Sequence, residues 1–471
     1  MSATQQAPTP TGGIAPTGYE TSLRRTLGFR DVVFYGLVFM VPIAPFGIFG
    51  GVYQSSGGMV ALAYVIGMVA MVFTAASYAQ MVKAFPLAGS VYNYAGRGIA
   101  APIGFLAGWS ALLDYLLVPS LLYLIAAVGM NAVVTVVPVW VWLVGFVVVN
   151  TAVNLLGIKT TARFTTFMLI GELIVLAIFL VVAVAAVVHG RGRGFSWDPL
   201  FNAHTFTWPL IAGAVSIAVL SFLGFDAMST LAEENKGGPG QIGRAMAAAL
   251  GLAGVLFVAQ TWVAALLVPD PAALIANGDP NGVAFYDAAR AAGGGWLATM
   301  CAVATAIAWG IANSLVAQVA TSRLLFAMAR DRQLPAFLRK VSPRSGVPAN
   351  AIVLTAVLSI GIGLYMAWRS DGITLLSSLI NFGALTAFMV LHLAVVWHYV
   401  FRKGSRNLWS HLLVPAVGFG ILAYVAVNAN VAAQHLALVW VGVGVMILVV
   451  LYAVGRRPRL AGLGVEQRGQ S

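Results

Sequence analysis

Long runs of apolar residues constrain the fold of this chain more than any other feature. A helix needs roughly 20 apolar residues to cross a hydrocarbon core about 30 Å thick. About twelve such runs follow one another, separated by short polar or glycine- and proline-containing turns. We therefore predict an all-α membrane protein with about twelve transmembrane helices. The predicted spans are 31–54, 59–82, 99–130, 139–156, 164–188, 207–234, 242–268, 294–328, 350–368, 374–401, 411–429 and 436–454.

The composition agrees with a chain that lies mostly in lipid. Of the 471 residues, 60% are hydrophobic and only 8% are charged, a balance that water-soluble domains of this length do not have. The only cysteine, Cys301, lies in a predicted span, so we expect neither a disulfide framework nor a cysteine-based metal site. Zinc-protease, P-loop and serine-hydrolase motifs do not occur. We predict that the protein is not an enzyme and needs no cofactor.

The positions of the basic residues predict the orientation. With a cytoplasmic N-terminus, most of the 26 Lys and Arg residues fall in cytoplasmic segments, and only Arg191, Arg193, Arg290 and Arg369 fall in the opposite loops. The positive-inside rule then predicts that both termini are cytoplasmic and that the number of spans is even. The net charge of +12 therefore indicates membrane orientation and no nucleic-acid partner. We expect a multi-pass protein of the inner (plasma) membrane whose oligomeric state the sequence leaves open.

Two predicted spans are interrupted near their middle. In the first, Pro42, Pro45 and Gly47 should unwind the helix, because proline lacks the N–H that a helix needs. In the sixth, Gly224 and Asp226 lie at a similar depth. Breaks five spans apart are typical of a five-plus-five inverted repeat that binds its substrate between half-helices at the bilayer midplane. A kink that serves only helix packing is the alternative for either span.

This pattern predicts five parts of the chain. They are a disordered cytoplasmic tail over 1–30, a first repeat with helices 1–5 over 31–188, a second repeat with helices 6–10 over 189–401, two extra helices over 402–455 and a cytoplasmic tail over 456–471.

Only three acidic residues lie deep within the predicted spans: Asp114, Glu172 and Asp226. An ionised carboxylate at that depth costs about 3 kcal/mol or more, so each must face a partner, a wet cavity or a proton. We interpret Asp226, beside the break, as functional, whereas Asp114 is equally consistent with helix packing. Glu172 has no basic residue on adjacent turns, so it is either a neutral hydrogen-bonded group or a proton-coupling group.

Five sequence motifs give the chain a resemblance to a known family. They are PLAGSVYNY at 86–94, GWSALLDY at 108–115, SFLGFD at 221–226, SRLL at 322–325 and INFGAL at 380–385. The first resembles the Pro-x-x-Gly-Gly/Ser-x-Tyr signature of the amino acid-polyamine-organocation superfamily. Together they are similar to its bacterial putrescine importer branch.

The resemblance implies a LeuT-like fold with broken helices 1 and 6 and two helices beyond the repeats. It also implies that charged groups of the substrate meet the unwound segments. Gly47 stands where putrescine importers carry an aspartate, and a diamine needs an anionic partner at each end. Free backbone groups beside Gly47 would instead suit an amino acid. Glu172 is near the position of a fifth-helix lysine that substitutes for sodium in some relatives, and that mechanism does not extend to an acid.

We therefore predict a secondary transporter that imports a small amine or amino acid by alternating access, with putrescine-like amines favoured and with protons or the membrane potential as the energy source. The alternatives are an amino acid permease for neutral or cationic amino acids, an exchanger, a channel and a membrane-embedded sensor. The predicted partners are the substrate, protons and membrane lipid. The predicted coupling residues are Asp114, Glu172 and Asp226. The predicted substrate-binding residues are Val41, Pro42, Ala44, Pro45, Gly47, Ser221, Phe222, Gly224, Phe225, Asp226, Trp309 and Asn313.

Overall fold

The computed structural model describes residues 27–85, 90–156, 162–233, 235–330, 334–342 and 345–455. This part of the chain is helical and contains no β-strand, only an isolated bridge between Leu27 and Asn235. The α-helices are α1 (Phe29–Met40), α2 (Pro45–Ser55), α3 (Val60–Ala84), α4 (Ser90–Gly98), α5 (Ala101–Val133), α6 (Val139–Leu155), α7 (Ala162–Val188), α8 (Trp208–Ala218), α9 (Pro239–Leu266), α10 (Pro271–Asn277), α11 (Ala284–Gly293), α12 (Gly295–Ile307), α13 (Ser314–Arg330), α14 (Ala349–Ala367), α15 (Gly372–Val396), α16 (Val414–Val427) and α17 (Val431–Ala453). The 3-10 segments are Val219–Phe222, Asp226–Glu233 and Ala336–Arg339, and the π-helical segments are Ala308–Asn313, Trp397–Arg402 and Trp409–Leu413.

The helices account for the predicted apolar runs. Within the described ranges, nine helices are long and apolar enough to cross a membrane, and the bent pair α1–α2 makes a tenth. Two shorter apolar helices also overlap predicted spans: Val139–Leu155 matches the fourth, and Trp208–Phe222 covers the first part of the sixth, 207–234. Helix α1 begins at Phe29, just inside the tail predicted over 1–30. The rest of that tail, over 1–26, and the C-terminal tail over 456–471 lie outside the described residues.

The first span is broken where its prolines predict. Helices α1 and α2 meet at an angle of 61°. Helix α1 ends when the N–H of Val41 donates to Leu37 O (3.0 Å), and Val41 itself adopts φ 52°. A β-branched residue rarely occupies this left-handed region, which costs about 1–3 kcal/mol. Pro45 then opens α2, where its missing N–H is not needed.

The sixth span is broken beside the first. After α8 the chain continues as a 3-10 turn to Phe222, and Gly224 then adopts φ 102° before a second 3-10 segment begins at Asp226. A side chain on Gly224 would also collide with the backbone and Cβ of Phe39, in the last turn of α1. Glycine at this position therefore permits both the left-handed backbone and the close approach of the two breaks.

The helix contacts show which spans are central. Helix α2 packs on α8, α3 on α9, α5 on α12 and α13, and α6 on α14. Helices α5 and α15 are the most enclosed, with 67% of their most apolar stretches buried, whereas only 11% of that of α17 is buried. The outward face of α17 carries exposed Val439, Met446 and Val449, as expected of a helix that faces lipid. The site described below lies around α5.

Candidate functional site

A cavity lies where the two broken spans meet α5 and the eighth span. Its volume is about 90 Å³. One water needs about 10–15 Å³ on this measure, so the cavity holds a small solute. Its walls are mostly apolar, which is typical of small-molecule sites. It is lined by Phe39, Met40, Val41, Ala44, Asp114, Tyr115, Val118, Leu121, Leu122, Leu220, Leu223, Gly224, Asp226, Ala227, Trp309, Asn313, Ala317, Ala320 and Thr321.

Two carboxylates from distant parts of the sequence share this cavity. Asp226 begins the second 3-10 segment of the sixth span, and its Oδ1 accepts a hydrogen bond from the N–H of Gly224 (3.2 Å). Asp114 lies on α5, and its Oδ1 is buried without a hydrogen-bond partner. Asp114 and Asp226 thus both belong to the wall of this one cavity. An unpartnered acid beside a second acid in apolar surroundings is costly unless a cation or a proton joins them.

An aromatic ring and an amide complete the cavity wall on the eighth span. Trp309 and Asn313 both lie in the π-helical segment between α12 and α13. The indole Nε1 of Trp309 is buried without a hydrogen-bond partner. The face of an indole ring attracts an organic cation. Segments of π-helix often occur at functional sites, because the wider turn redirects side chains and frees carbonyl groups.

A buried amide on α6 supports this π-helical segment from behind. The Nδ2 of Asn150 donates to Gly310 O (2.8 Å) and to Ser314 Oγ (2.7 Å), and it lies 3.3 Å from the hydroxyl of Tyr123. Asn150 is 1% exposed, so these bonds form away from water. It therefore fixes the segment that carries Trp309 without touching the cavity itself.

The structure brings only some of the predicted substrate-binding residues to the cavity. Val41, Ala44, Gly224, Asp226, Trp309 and Asn313 line it, as does the predicted coupling residue Asp114. Ser221, Phe222 and Phe225 point elsewhere. Ser221 pairs with Tyr64 (3.1 Å), Phe222 packs against Tyr64 and Phe257, and Phe225 packs against Tyr78 and Phe388. The unwound backbone turns these three side chains into the helix packing.

Three predicted residues of the first break also lie off the cavity. Pro42 contributes its carbonyl oxygen, which accepts from Gln260 Nε2 (2.9 Å). Pro45 opens α2. Gly47 faces Ile125 and lines a smaller cavity further along α2. The break itself, more than the residues after it, therefore forms the wall.

Glu172 on α7 occupies a separate small cavity beside the main one. Its side chain is 8% exposed, and its Oε2 has no hydrogen-bond partner. This second cavity of about 10 Å³ shares Phe39, Val41 and Asn313 with the main cavity. Glu172 therefore faces the back of the first break and of the π-helical segment, from a third helix.

Other polar side chains of the eighth and tenth spans serve helix contacts. Gln318 accepts from Asn154 Nδ2 (2.6 Å), and Asn381 donates to Ser216 O (2.6 Å). His392 lies 2.8 Å from Ser77 Oγ through Nδ1. Hydrogen bonds of this kind join membrane helices for about 1 kcal/mol each. These residues do not line the main cavity.

Three aromatic rings, here called the aromatic layer, pack together at the start of α2, next to the first break. Phe46 stacks on Phe285 of α11 with centroids 3.9 Å apart, and Phe179 of α7 lies 4.7 Å from Phe285. All three side chains are buried. The loop with α10 and α11 thus covers α2, while the cavity extends along α13 to Thr321.

The polar wall residues that are not among the predicted site residues are Tyr115 and Thr321. Tyr115 follows Asp114, so its proximity to the acid was the one available signal. Thr321 Oγ1 donates to Tyr115 O (2.6 Å), a contact between residues far apart in sequence that no local pattern marks.

Comparison with known proteins decides the family. The sequence profile described as "Amino acid permease" matches residues 32–454, which is most of the chain and includes every residue of the site. The chain belongs to the amino acid permease family. Members of this family are membrane transporters, so the protein is a multi-pass membrane protein and not an enzyme.

Individual permeases resemble the chain over nearly their whole length. The low-affinity putrescine importer PlaP of Escherichia coli (strain K12) is 33% identical over 459 residues, which cover 94% of this chain and 97% of the relative. The branched-chain amino acid permease BcaP of Bacillus subtilis (strain 168) is 26% identical, with 92% and 94% covered. The methylthioribose transporter of the same organism is 25% identical, with 90% and 93% covered. The family thus includes relatives named for quite different solutes.

Proposed function

We propose that this permease imports a diamine of the size of putrescine by alternating access. The observation that carries the proposal is the pair Asp114 and Asp226, which line one small cavity. A diamine presents an ammonium group at each end, and each ammonium requires an anionic partner once it leaves water. The sequence alone offered only Asp226 at the break, and Asp114 supplies the second acid.

The walls between and around the two acids suit a short aliphatic chain. Val118, Leu121 and Leu223 are apolar, and Trp309 offers an aromatic face to a cation. The similarity to a putrescine importer supports the same reading.

The cavity suits an amino acid less well. Its described lining residues include no Lys, Arg or His that would pair with a carboxylate. The first N–H groups of α2 are also engaged, because Phe46 N donates to Ile43 O (3.0 Å) and Gly47 N to Ala44 O (3.3 Å). Pro42 and Pro45 have no N–H to offer. The backbone therefore leaves few donors for an anion at this break.

The architecture fits the five-plus-five repeat that we infer. The contacts of α2 with α8, α3 with α9, α5 with α12 and α13, and α6 with α14 each join spans that are five apart in our assignment of twelve. The closed aromatic layer at Phe46 and the cavity on the other side of the break correspond to an inward-facing conformation. In this proposal both termini are cytoplasmic, the membrane is the bacterial inner membrane, and Ser55 marks the outer face.

Both the membrane potential and protons supply driving force in this proposal. Two positive charges gain roughly 4.6 kcal/mol per 100 mV, which is twice the value for one charge. Glu172 is the proposed proton-coupling group, because it is buried, lacks a partner at Oε2 and touches the first break. Asp114 and Asp226 take part by exchanging protons for ammonium groups.

Uptake of labelled putrescine into proteoliposomes tests the proposal. The competitors are 1,3-diaminopropane, cadaverine, butylamine and a panel of amino acids, with and without an imposed pH gradient. We expect the diamines to compete and butylamine, which has the same chain with one ammonium, to fail. Inert putrescine together with uptake of a labelled neutral amino acid would overturn the diamine proposal in favour of an amino acid permease.

A further inference from the structure

Two further cavities lie on the outer side of the aromatic layer of Phe46, Phe179 and Phe285. The carboxylate of Asp279 lines both of them. A cavity of about 40 Å³ is lined by Asp279, Arg369, Ser370 and Thr374, among others. A smaller one of about 10 Å³ also contains Asp279 and Thr374 and reaches Gly47 on α2. The larger volume accommodates about three waters, so an ammonium group fits there. The smaller cavity contains Gly47, the residue after Phe46 of the aromatic layer.

The carboxylate of Asp279 is held in place by backbone donors and not by a cation. Its Oδ1 accepts from Val283 N and its Oδ2 from Ala284 N, both at 3.0 Å, which caps α11. The N–H of Gly282 also interacts with this carboxylate. A carboxylate has about four acceptor positions, so at least one remains for another donor. The described contacts of Asp279 include no ion pair. The one basic residue of the cavity, Arg369, is already neutralised by a bidentate pair with Asp371 at 2.8 and 2.9 Å.

The surroundings of Asp279 are built to leave its charge facing this space. A methyl group on Gly50 would overlap the Asp279 carboxylate, so glycine lets α2 pass directly against it. The hydroxyl of Thr374 lies opposite Gly51. Ser377 Oγ donates to Ile373 O (2.7 Å), which leaves its oxygen able to accept. A carboxylate with hydroxyl acceptors around it matches the three donors of a primary ammonium group.

We propose that Asp279, with Thr374 and Ser370, forms an outer site that binds one ammonium group of the substrate before it reaches the central cavity. This inference rests on the proposed amine function and adds a separate binding step to it. The outer site raises the local concentration of the amine at the closed aromatic layer. Loss of the outer site should therefore raise the KM for external substrate and have less effect on the maximal rate.

Kinetics of external uptake test the site with a matched pair of variants. Asp279→Asn keeps a side-chain oxygen that can cap α11 and removes the charge. Asp270→Asn makes the same change at the cap of α10, where Asp270 accepts from Ala273 N (2.9 Å) outside both cavities. We expect Asp279→Asn to raise the KM for external putrescine about tenfold with little change in maximal rate, because a charged hydrogen-bond partner is lost. A wild-type KM in Asp279→Asn, or an equal rise in Asp270→Asn, would overturn the proposal.

A labelling experiment detects binding of amine at the outer site without measuring transport. Cys301 is the only cysteine and is fully buried, so Ser370→Cys creates a single exposed thiol at the mouth of the cavity. We expect external putrescine or methylammonium to slow its reaction with a membrane-impermeant thiol reagent in intact cells. The protection should be lost in Ser370→Cys/Asp279→Asn and kept in Ser370→Cys/Asp270→Asn.

The two experiments separate this site from the proposed function. Protection by amines in a protein that transports no amine would retain the outer site and overturn the central diamine site. Putrescine transport without protection of the thiol, and without a KM change in Asp279→Asn, would overturn the outer site and retain the central diamine site.

Discussion

Trp109 and Trp440, on two membrane helices, each donate a hydrogen bond from the indole N–H to the backbone carbonyl of the other. Trp109 Nε1 donates to Trp440 O (2.7 Å), Trp440 Nε1 donates to Trp109 O (2.8 Å), and the rings stack with centroids 4.6 Å apart. Gly444, one turn along α17, lies against the Trp109 ring, where a side chain would collide with it. The mostly lipid-facing helix α17 is thereby joined to α5, the helix that carries Asp114.

Trp440→Ala should lower the stability of the protein markedly. The substitution removes a stacked ring and the hydrogen bond that its indole N–H donates to Trp109 O, while the backbone carbonyl of residue 440 remains. Large-to-small changes of this kind cost about 3 kcal/mol or more. Trp440→Phe keeps the stacking and should cost about 1 kcal/mol. Thermal unfolding in detergent measures both. Trp368→Phe, at a tryptophan that is 86% exposed, is the control and should leave the melting temperature unchanged.

Asp114→Asn and Asp226→Asn should each weaken diamine transport strongly. Loss of one charged hydrogen-bond partner lowers the apparent affinity about tenfold to a hundredfold. Each variant should also narrow the difference in apparent affinity between putrescine and butylamine, because only one ammonium group of putrescine then has an acidic partner. Initial uptake rates at several concentrations, with surface expression measured in parallel, test this. The exposed loop variant Asp198→Asn is the control, and unchanged discrimination in either acid variant would remove that acid from the site.

Glu172→Gln should flatten the dependence of uptake on an imposed pH gradient. Glutamine keeps the shape and the hydrogen-bonding capacity of the side chain but cannot exchange a proton at this position. Putrescine binding should remain, since Glu172 lies behind the break and not in the central cavity. Uptake into proteoliposomes at fixed membrane potential, with and without a pH gradient, gives the comparison. A gradient response equal to that of the wild type would assign proton coupling elsewhere.

Asn150→Leu should impair substrate binding although Asn150 does not line the cavity. The substitution leaves the carbonyl of Gly310 without its side-chain donor. An unpaired buried polar group costs about 1–3 kcal/mol. We expect the π-helical segment to shift and the KM for putrescine to rise about tenfold. Asn154→Leu breaks bonds to Leu315 O and Gln318 one turn further along α6 and is the matched control. A KM change in Asn154→Leu as large as that in Asn150→Leu would indicate general loosening of α6 against α13.

The KM for external amine should rise as the external pH falls. Burial raises the pKa of Asp279, and the charge of Asp287 on α11 adds to this effect, against hydrogen bonds from backbone N–H groups. Arg369 lines the same cavity and forms an ion pair with Asp371, just before α15. A raised pKa means that the carboxylate is lost on acidification at a higher pH than for an exposed aspartate. Uptake measured at fixed internal pH should show this rise in KM in wild type, and the rise should be smaller in Asp279→Asn.

The two breaks were predictable from sequence, and the composition of the cavity was only partly so. Pro42 and Pro45 mark the first break, because proline removes helix donors wherever it stands. Gly224 marks the second, where the backbone needs a left-handed residue. Side-chain directions beside an unwound segment follow no helical period, so the sequence did not reveal that Phe222 and Phe225 pack against other aromatic rings and do not line the cavity.

The pairing of acids was beyond the reach of any local pattern. Asp114 lies on a regular stretch of α5, far from Asp226 in sequence, and only the fold brings both residues to the wall of one cavity. The π-helical segment was equally hidden. Its carbonyl at Gly310 is satisfied by Asn150 from another helix, and no sequence period records that contact.

The left-handed backbone at Val41 has a consequence for the transport cycle. A carrier turns over only if its conformations have similar free energies, since a deep minimum in any one of them would stall the others. The strain of about 1–3 kcal/mol at Val41 is present in this conformation and is relieved wherever α1 swings to ordinary dihedral angles. The strained break in the first span therefore raises the free energy of this conformation and offsets the stabilisation from the packed aromatic layer. The change to the other conformations of the transport cycle then stays accessible.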